Sequence, residues 1–333
     1  MTGFYRRSAL YSAFFEPSEE IRDSVDRLVR RHLRRDPRRV LDPACGPGLW
    51  LAHFLAKGAE VAGSDLEEAA IALANERLPA RGARVLVGDM RRPPDELGTG
   101  FDLVINLDNS IGHLPEFMDV VEHFASIRTR LARGGVYIVG LAIREERDEI
   151  PVGVVYERGP VDIAGGGFAA LRTESMGLQP VTRCERIRQI AITANVPDTP
   201  AVIAEQYDLL TFTFALLKDI LAASGGFEVL DCRDATDESL PAKPFRKGAG
   251  DVVLVLRATA ESAKRGRSSD GSGSAKKKDA KNKKNKKATK AKATKAKATK
   301  AKATKQGKKV TNSRHDEAKG MKSARGVARR SGR

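Results

Sequence analysis

The sequence predicts an α/β fold built on a mostly parallel sheet, and three observations carry that expectation. Residues 39–55 have the form of a buried strand, a glycine-rich turn and an amphipathic helix. Short apolar runs then alternate with helical patterns as far as Leu141. Each of the first three strands leads into an acid, Asp42, Asp65 or Asp89, at the carboxyl edge where open α/β sheets bind ligands.

Met1 to Asp36 reads as an aromatic lead (Phe4, Tyr5, Tyr11, Phe14, Phe15) followed by a helix. Ile21, Val25, Leu28, Val29 and Leu33 form its apolar stripe, and Glu16 to Glu20 supply an acidic first turn. The aromatics are expected to staple this helix onto the body. A sharper use of the same residues is Tyr11 closing over a bound ligand as part of a lid.

The first strand, Arg39-Val40-Leu41, runs through Asp42-Pro43-Ala44-Cys45-Gly46-Pro47-Gly48 into a helix with Trp50, Leu51, Phe54 and Leu55 at helical spacing. Gly46 and Gly48 can take backbone angles closed to other residues and let a ligand lie against the main chain. Two ligand classes use such a turn. A dinucleotide would lay its pyrophosphate on the helix N-terminus, where Asp42 would repel it, and Leu51 stands where the third small residue of G-x-G-x-x-G belongs. Both points favour a cofactor with a positive head, such as the ammonium and sulfonium of S-adenosylmethionine.

The second strand, Glu60 to Ser64, ends at Asp65, 23 residues beyond Asp42. An acid at that place can accept hydrogen bonds from both ribose hydroxyls of a nucleoside. A helix over about Glu67 to Arg77 leads to a third strand, Arg84 to Val87, and then Gly88-Asp89-Met90. Asp89 can take an adenine amino group, while Met90 offers a backbone N–H and an apolar wall. The fourth strand, Phe101 to Leu107, runs into the polar stretch Asp108-Asn109-Ser110-Ile111-Gly112-His113-Leu114-Pro115. A helix from about Glu116 to Leu131 is stopped by Arg133-Gly134-Gly135, and a fifth strand, Val136 to Leu141, follows.

From Ile150 to Thr211 the β-α rhythm breaks. Val181–Ala194 and Val202–Thr213 alternate like strands on either side of Asn195-Val196-Pro197-Asp198-Thr199-Pro200. An antiparallel insertion is expected here, rimmed by Gly165-Gly166-Gly167 and capping the active-site end; a homodimer contact or a purely structural sheet is the other use. Arg183, Arg186 and Arg188 can grip an acidic substrate, although a solvated strand face is the commoner use of that pattern. A helix over Phe214–Ala223 and strands over Phe227–Leu230 and Asp251–Leu256 complete the body.

These motifs resemble the class I S-adenosylmethionine-dependent methyltransferases. Asp-x-Ala-Cys-Gly-x-Gly, an acid ending the second strand, Gly-Asp-Met after the third and Gly-Gly before the fifth stand in that family's order and spacing. The stretch Asn109-Ser110-Ile111-Gly112-His113-Leu114 looks like the small-molecule N-methyltransferases of the glycine and amino-sugar type. The resemblance covers about residues 8 to 258. It implies a Rossmann-like seven-stranded sheet with an antiparallel last strand, the insertion preceding the sixth strand. It further implies that Asp42 and the backbone at Ala44, Gly46 and Gly48 hold the methionine end of the cofactor, with Tyr11 over it. Asp65 and Leu66 would hold the ribose, Asp89 and Met90 the adenine, and the Leu107 carbonyl the methionyl ammonium. Asn109 and His113 would face the substrate, His113 accepting or orienting a proton of the amine. Ala44 stands where the wider family prefers Gly, a common variant.

Composition divides the chain of 333 residues. From Lys264 to Arg333 there are 27 Lys and Arg against 4 Asp and Glu, a net of +23 in a chain whose total is +16, which leaves −7 for residues 1–263. The expected organisation is a methyltransferase domain over 1–258, a linker over 259–275 and a disordered Lys/Ala/Thr-rich tail over 276–333. Three copies of Ala-Thr-Lys-Ala-Lys from Ala288 to Lys302 put lysines on every side of any helix. The tail resembles linker-histone tails in composition, and such tails bind nucleic acid through counterion release without reading sequence. The 3 cysteines include no C-x-x-C, and the 5 histidines show no metal-ligand spacing. A reducing, cytoplasmic setting is expected, nucleoid-associated where the tail engages DNA, with no metal and no membrane span.

The expected reaction is methyl transfer to an amine, less readily a hydroxyl, of a small metabolite. Its rivals are a methyltransferase acting on RNA or nucleoid protein through the tail, and a non-catalytic nucleic-acid-binding protein. Asp108-Asn109-Ser110-Ile111 lacks the Pro-Pro-aromatic stack that grips a flipped base, which speaks against amino-purine DNA methylation.

Overall fold

The computed structural model describes residues 7–146, 150, 152–163, 166–235, 244, 248 and 250–259. Phe4, Tyr5, Gly165 and the basic tail lie outside the described residues. The chain forms α1 (Ser8–Phe15), α2 (Glu19–Leu33), β1 (Arg39–Asp42), α3 (Leu49–Ala56), β2 (Glu60–Asp65), α4 (Glu68–Arg77), β3 (Ala83–Val87) and β4 (Phe101–Asn106). There follow α5 (Phe117–Arg130), β5 (Leu131–Ile143), four strands β6 (Gly153–Asp162), β7 (Phe168–Gln179), β8 (Cys184–Ala194) and β9 (Val202–Leu210), then α6 (Phe214–Ala223), β10 (Phe227–Asp234) and β11 (Gly250–Ala258). None of the described helices is long and apolar enough to cross a membrane.

Seven strands form one sheet in the order β10-β11-β5-β4-β1-β2-β3. β1 to β5 pair in parallel, and β11 runs antiparallel to both β5 and β10. The chain winds outward from β1 through β2 to β3, then restarts at β4 on the other side of β1. That reversal opens a crevice at the carboxyl ends of β1 and β4, where Asp42 and the stretch after Asn106 emerge.

Strand alternation feeds two cores. Val104, Tyr137, Val139 and Leu254 project to the face covered by Val120, Phe124 and Ile127 of α5 and Leu217, Ile220 and Leu221 of α6. Their strand neighbours Leu103, Ile105, Ile138 and Val253 project to the opposite face, under α2, α3 and α4. Both faces are apolar because both are covered, so these strands show no polar alternation. The stripe of α2 is buried through Val25, Leu28 and Val29. Ser18 caps that helix by accepting the Ile21 N–H at 3.3 Å. Asp26 ties α2 to α3 by accepting from Lys57 at 2.5 Å and His53 at 3.0 Å.

The Gly134-Gly135 pair plays a different part from the one expected. The α5 helix passes directly into β5 at Leu131, which already pairs with Phe101, and the register shifts before Leu103 meets Val136. Gly134 takes φ +82° there, and a Cβ on Gly135 would lie 2.7 Å from the Phe101 carbonyl oxygen. The two glycines accommodate an irregularity inside one long strand.

The insertion is a separate antiparallel sheet in the order β6-β7-β8-β9. Its outer face settles the use of the arginines. Arg186 forms a two-pronged pair with Asp208 at 2.8 and 3.0 Å, Arg188 donates to Glu174 at 2.6 Å, and Arg183 donates to the Arg144 carbonyl. They are strand-face ion pairs and a backbone tie, not a grip for an acidic substrate. The inner face packs Ala169, Leu171, Ala191 and Ile203 against Leu10 and Phe14 of α1. The aromatic lead is therefore helical from Ser8 and is stapled to the insertion. Arg158 of β6 strengthens that joint by donating to the Phe14 carbonyl at 2.5 Å and lying over the Phe15 ring at 4.9 Å.

Candidate functional site

The glycine-rich turn after β1 is held by its own backbone and by the next strand. Asp42 Oδ1 accepts the Ala44 N–H at 3.1 Å, and the Cys45 N–H donates to the Ser64 carbonyl at 2.9 Å. Asp65 joins the turn to the start of α4, its two oxygens accepting the Gly46 N–H at 2.8 Å and the Glu67 N–H at 3.0 Å. Gly46 has φ +51° and Gly48, the residue before α3, has φ +78°, both in the left-handed region that favours glycine. A Cβ on Gly46 would stand 3.8 Å from Tyr11 Cε1, so the tyrosine ring lies over the turn.

A solvent-open cavity lies beside this turn, lined among others by Tyr11, Gly46, Asp65, Met90, Asp108 and His113. A smaller recess shares Tyr11, Gly46 and Asp108 with it and adds Asp42, Trp50 and Leu107. The two spaces meet under the Tyr11 ring. Together they form an elongated site with Asp42 at one end, Asp65 and Met90 along it, and His113 on its wall.

The site is electrostatically strained. Burial pushes the Asp42 carboxyl up to about 8, offset in part by the Ala44 N–H and increased by Asp65 and Asp108. Burial also raises Asp65 against the backbone donors at Glu67, Gly46 and Leu66, and raises Asp108 against the relief supplied by Arg158. The Tyr11 hydroxyl is raised chiefly by burial and then by Asp108 and Asp65, so it stays a neutral donor. Burial lowers His113 to about 4, which leaves its imidazole neutral, with a ring nitrogen that can accept a hydrogen bond. A ligand that brings positive charge between these carboxyls and donates hydroxyl hydrogens to Asp65 matches this donor set.

The remaining expected residues are placed differently from one another. Asp89 is clasped by Arg91, whose Nε and Nη2 donate to it at 2.8 and 2.5 Å, and it does not line the cavity. These bonds outweigh the effect of burial and hold its carboxyl below the usual range. Leu66 is half exposed and also outside the lining. Leu107 carries its carbonyl to the recess, where it accepts the Ser110 hydroxyl at 3.1 Å. Asn109 takes φ +57°, and its amide folds back on Gly112, whose Cβ position lies 2.8 Å from Nδ2. That turn presents Asp108 and Ser110 to the cavity in its place.

Three groups near the site carried no warning in the sequence. His123 of α5 is fully buried, its Nδ1–H donating to the Met90 carbonyl at 2.7 Å while Nε2 accepts the Tyr137 hydroxyl at 2.7 Å. Burial lowers this imidazole to about 4, consistent with that neutral tautomer. Tyr207 of β9 lies against His113 with ring centroids 5.3 Å apart. Arg158 reaches α1 from β6. Each meets the site only through tertiary packing, so no local pattern marks it; the acid at Asp108, closing a fourth strand, was the one available signal.

Comparison with known proteins matches residues 40–135 to the methyltransferase domain family. A dTDP-3-amino-3,4,6-trideoxy-alpha-D-glucopyranose N,N-dimethyltransferase of Streptomyces venezuelae is 36% identical over 100 residues, which are 30% of this chain and 40% of that protein. The similarity thus spans well under half of that relative. CalS10, solved with SAM bound and described as an amino pentose methyltransferase from Micromonospora echinaspora, superposes with a TM-score of 0.53 at 25% identity, covering 72% of this chain and 92% of that one. DesVI of Streptomyces venezuelae shares the fold with a TM-score of 0.55 at 23% identity, covering 75% and 91%.

Proposed function

We infer that the chain is a class I S-adenosylmethionine-dependent methyltransferase, and we propose that it methylates the amine of a small metabolite, an amino sugar being the first candidate. The observation that carries this reading is the elongated, acid-flanked cavity beneath Tyr11, closed by a neutral histidine. The residues fit the cofactor. Asp42 and the Leu107 carbonyl would pair with its ammonium, Asp65 would accept from the ribose hydroxyls, and Met90 would wall the adenine, its backbone braced by His123. Asp89, already engaged by Arg91, would contribute at most through its backbone.

When bound, the cofactor supplies a methyl group already activated by its sulfonium. What remains for the protein is alignment and exclusion of water. Tyr11 and α1 would cover the reacting centre from one side, and β9 would close it from the other. An amine attacks only through a free lone pair, so it must be neutral. His113, itself neutral, would accept a hydrogen bond from the amine and orient its lone pair toward the methyl group, while the proton released after transfer would pass to solvent as the product leaves. The relatives named for amino-sugar methylation support an amine acceptor.

The test is transfer of labelled methyl from S-adenosylmethionine into small amines, amino sugars, RNA and lysate protein, with Asp42→Ala as the control. Label in amines that disappears in the variant supports the reading. Label confined to RNA or protein would replace it with a second reading, which the net +23 of residues 264–333 favours: recruitment of the catalytic domain to a polyanion.

A further inference from the structure

The acids of the site are not equally engaged. Asp42 is buried and accepts the Ala44 N–H, and Asp65 is tied to the Gly46 and Glu67 N–H groups. Glu67 lines only the larger cavity. Asp108 lines both spaces, it is exposed, and no hydrogen-bond donor reaches its carboxylate among the described residues. Its exposed surface is therefore wall of the ligand space.

The backbone accounts for that placement. Asp108 and Asn109 take left-handed angles, φ +59° and +57°, which these two residue types tolerate better than most. The turn rests on a bare position of β5, where a Cβ on Gly140 would stand 3.1 Å from the Asp108 nitrogen and 3.2 Å from the Asn109 nitrogen. Ser110 and His113 of the same turn line the larger cavity with Asp108.

The surroundings leave Asp108 short of positive charge. Its charge acts on Asp42, Tyr11 and Tyr156, and Arg158 is the cation that relieves it. That guanidinium is committed elsewhere, donating to the Phe14 carbonyl and covering the Phe15 and Tyr156 rings.

Methyl transfer to an amine would create the missing charge. With the methionine end of the cofactor in the recess and its nucleoside in the larger cavity, the sulfonium falls at their junction, which Asp108 borders. The amine lone pair forms the new C–N bond as the C–S bond breaks with its electrons staying on sulfur. Positive charge thereby passes from sulfur to nitrogen. A primary amine has two N–H hydrogens; with His113 accepting one and Asp108 the other, its lone pair is left for the methyl group. A hydroxyl has one hydrogen and keeps no positive charge once that proton is lost. The adjacent sulfonium favours an ionised carboxylate, so neither acceptor need change its protonation state during transfer.

We propose that Asp108 is a catalytic residue whose carboxylate accepts an N–H of the acceptor amine and stabilises the positive charge gained by its nitrogen, selecting amines over hydroxyls. The claim rests on the methyl-transfer reading above. It adds a residue that reading does not use.

Sinefungin, which carries an amine in place of the sulfur-bound methyl, puts an ammonium at that junction without any acceptor. Calorimetry compares it with S-adenosylhomocysteine on the full chain, on Asp108→Asn and on Asp108→Gly, two substitutions that suit a left-handed backbone. The full chain should bind sinefungin about 10-fold or more tighter than S-adenosylhomocysteine. Both variants should lose that preference while keeping S-adenosylhomocysteine affinity and thermal midpoint. With the amine that takes label in the test above, Asp108→Asn should lower kcat/KM about 10-fold or more. Equal affinity for the two ligands in the full chain, a preference that survives in the variants, or unchanged kcat/KM overturns the assignment. Equal weakening of both ligands makes Asp108 an anchor for the cofactor's own ammonium, and overturns it too. If the sinefungin preference depends on Asp108 but no amine is labelled, the methyl-transfer reading fails while the cation site stands.

Discussion

At Asp42 the fold holds a carboxyl group in surroundings that favour its neutral form. Its folded value of about 8 exceeds the ordinary 3.8, so its contribution to the ligand-free protein is full below the ordinary value and is lost as pH rises through 8. Asp42→Asn is therefore expected to melt higher than the parent protein above pH 8 and to match it near pH 4, as read by thermal unfolding of the ligand-free forms. A cationic ligand reverses the preference by rewarding the ionised acid. Affinity for S-adenosylhomocysteine should rise with pH toward 8 in the parent protein, by at most about tenfold per unit, and lose that slope in Asp42→Asn. The neutral His113 gives a second expectation. Because its value is lowered to about 4, the rate at saturating cofactor between pH 5 and 8 should follow the acceptor amine alone. His113→Asn should lower kcat by about 10² or more while leaving cofactor-product binding unchanged; equal turnover would make the histidine a packing residue.

Among the elements, β2 and α3 meet at a glycine outside the cavity lining. A Cβ on Gly63 would lie 2.6 Å from Leu51 Cδ1 and 2.9 Å from Cys45 Sγ, so the strand accepts the helix only because that position is bare. Gly63→Ala is expected to destabilise the protein by about 1–3 kcal/mol through overpacking, measured by denaturant unfolding. The same substitution should displace Cys45 and thereby weaken cofactor binding. The α1 helix works differently. Eight residues are too few to hold a helix alone, and α1 takes its order from the insertion through Leu10, Phe14 and Arg158. The cover over the glycine-rich turn is therefore as stable as its contact with β6 and β7.

On the scale of the whole molecule, an acidic body is joined to a strongly basic segment. Residues 264–333 carry a net +23 and residues 1–263 a net −7, a separation that predicts polyanion binding by the former. Retention on DNA should weaken by about 10³–10⁵ between 50 and 200 mM salt if some six to ten phosphates are neutralised. Truncation after residue 263 should abolish retention and spare methyl transfer to a small amine. Loss of that activity on truncation would instead assign the tail to the catalytic unit.

The strand endings at Asp42 and Asp65 and the turn at Gly46 and Gly48 were legible from residue order alone, whereas the antiparallel closing strand followed only from the family resemblance. They are local features: periodicity, glycine angles and an acid after an apolar run repeat wherever this sheet is built. The insertion was read only in its second half, because β6 and the start of β7 pair across glycines and carry too little alternation to declare a strand. Arg186 and Arg188 were ambiguous until Asp208 and Glu174 appeared opposite them in the register. Side-chain direction in the polar stretch after Asn106 was likewise undetermined. A left-handed turn sends Asn109 onto Gly112 and Asp108 into the cavity, and one residue of phase in a tight turn reverses which side chain faces a ligand. The sequence by itself determined the cofactor edge of this protein, since that edge is made of consecutive residues at strand ends. Only the tertiary structure decided the edge proposed for the acceptor, where Tyr11 and His113 line the cavity and Tyr207 packs on His113, three residues from separate elements that meet through packing between distant parts of the chain.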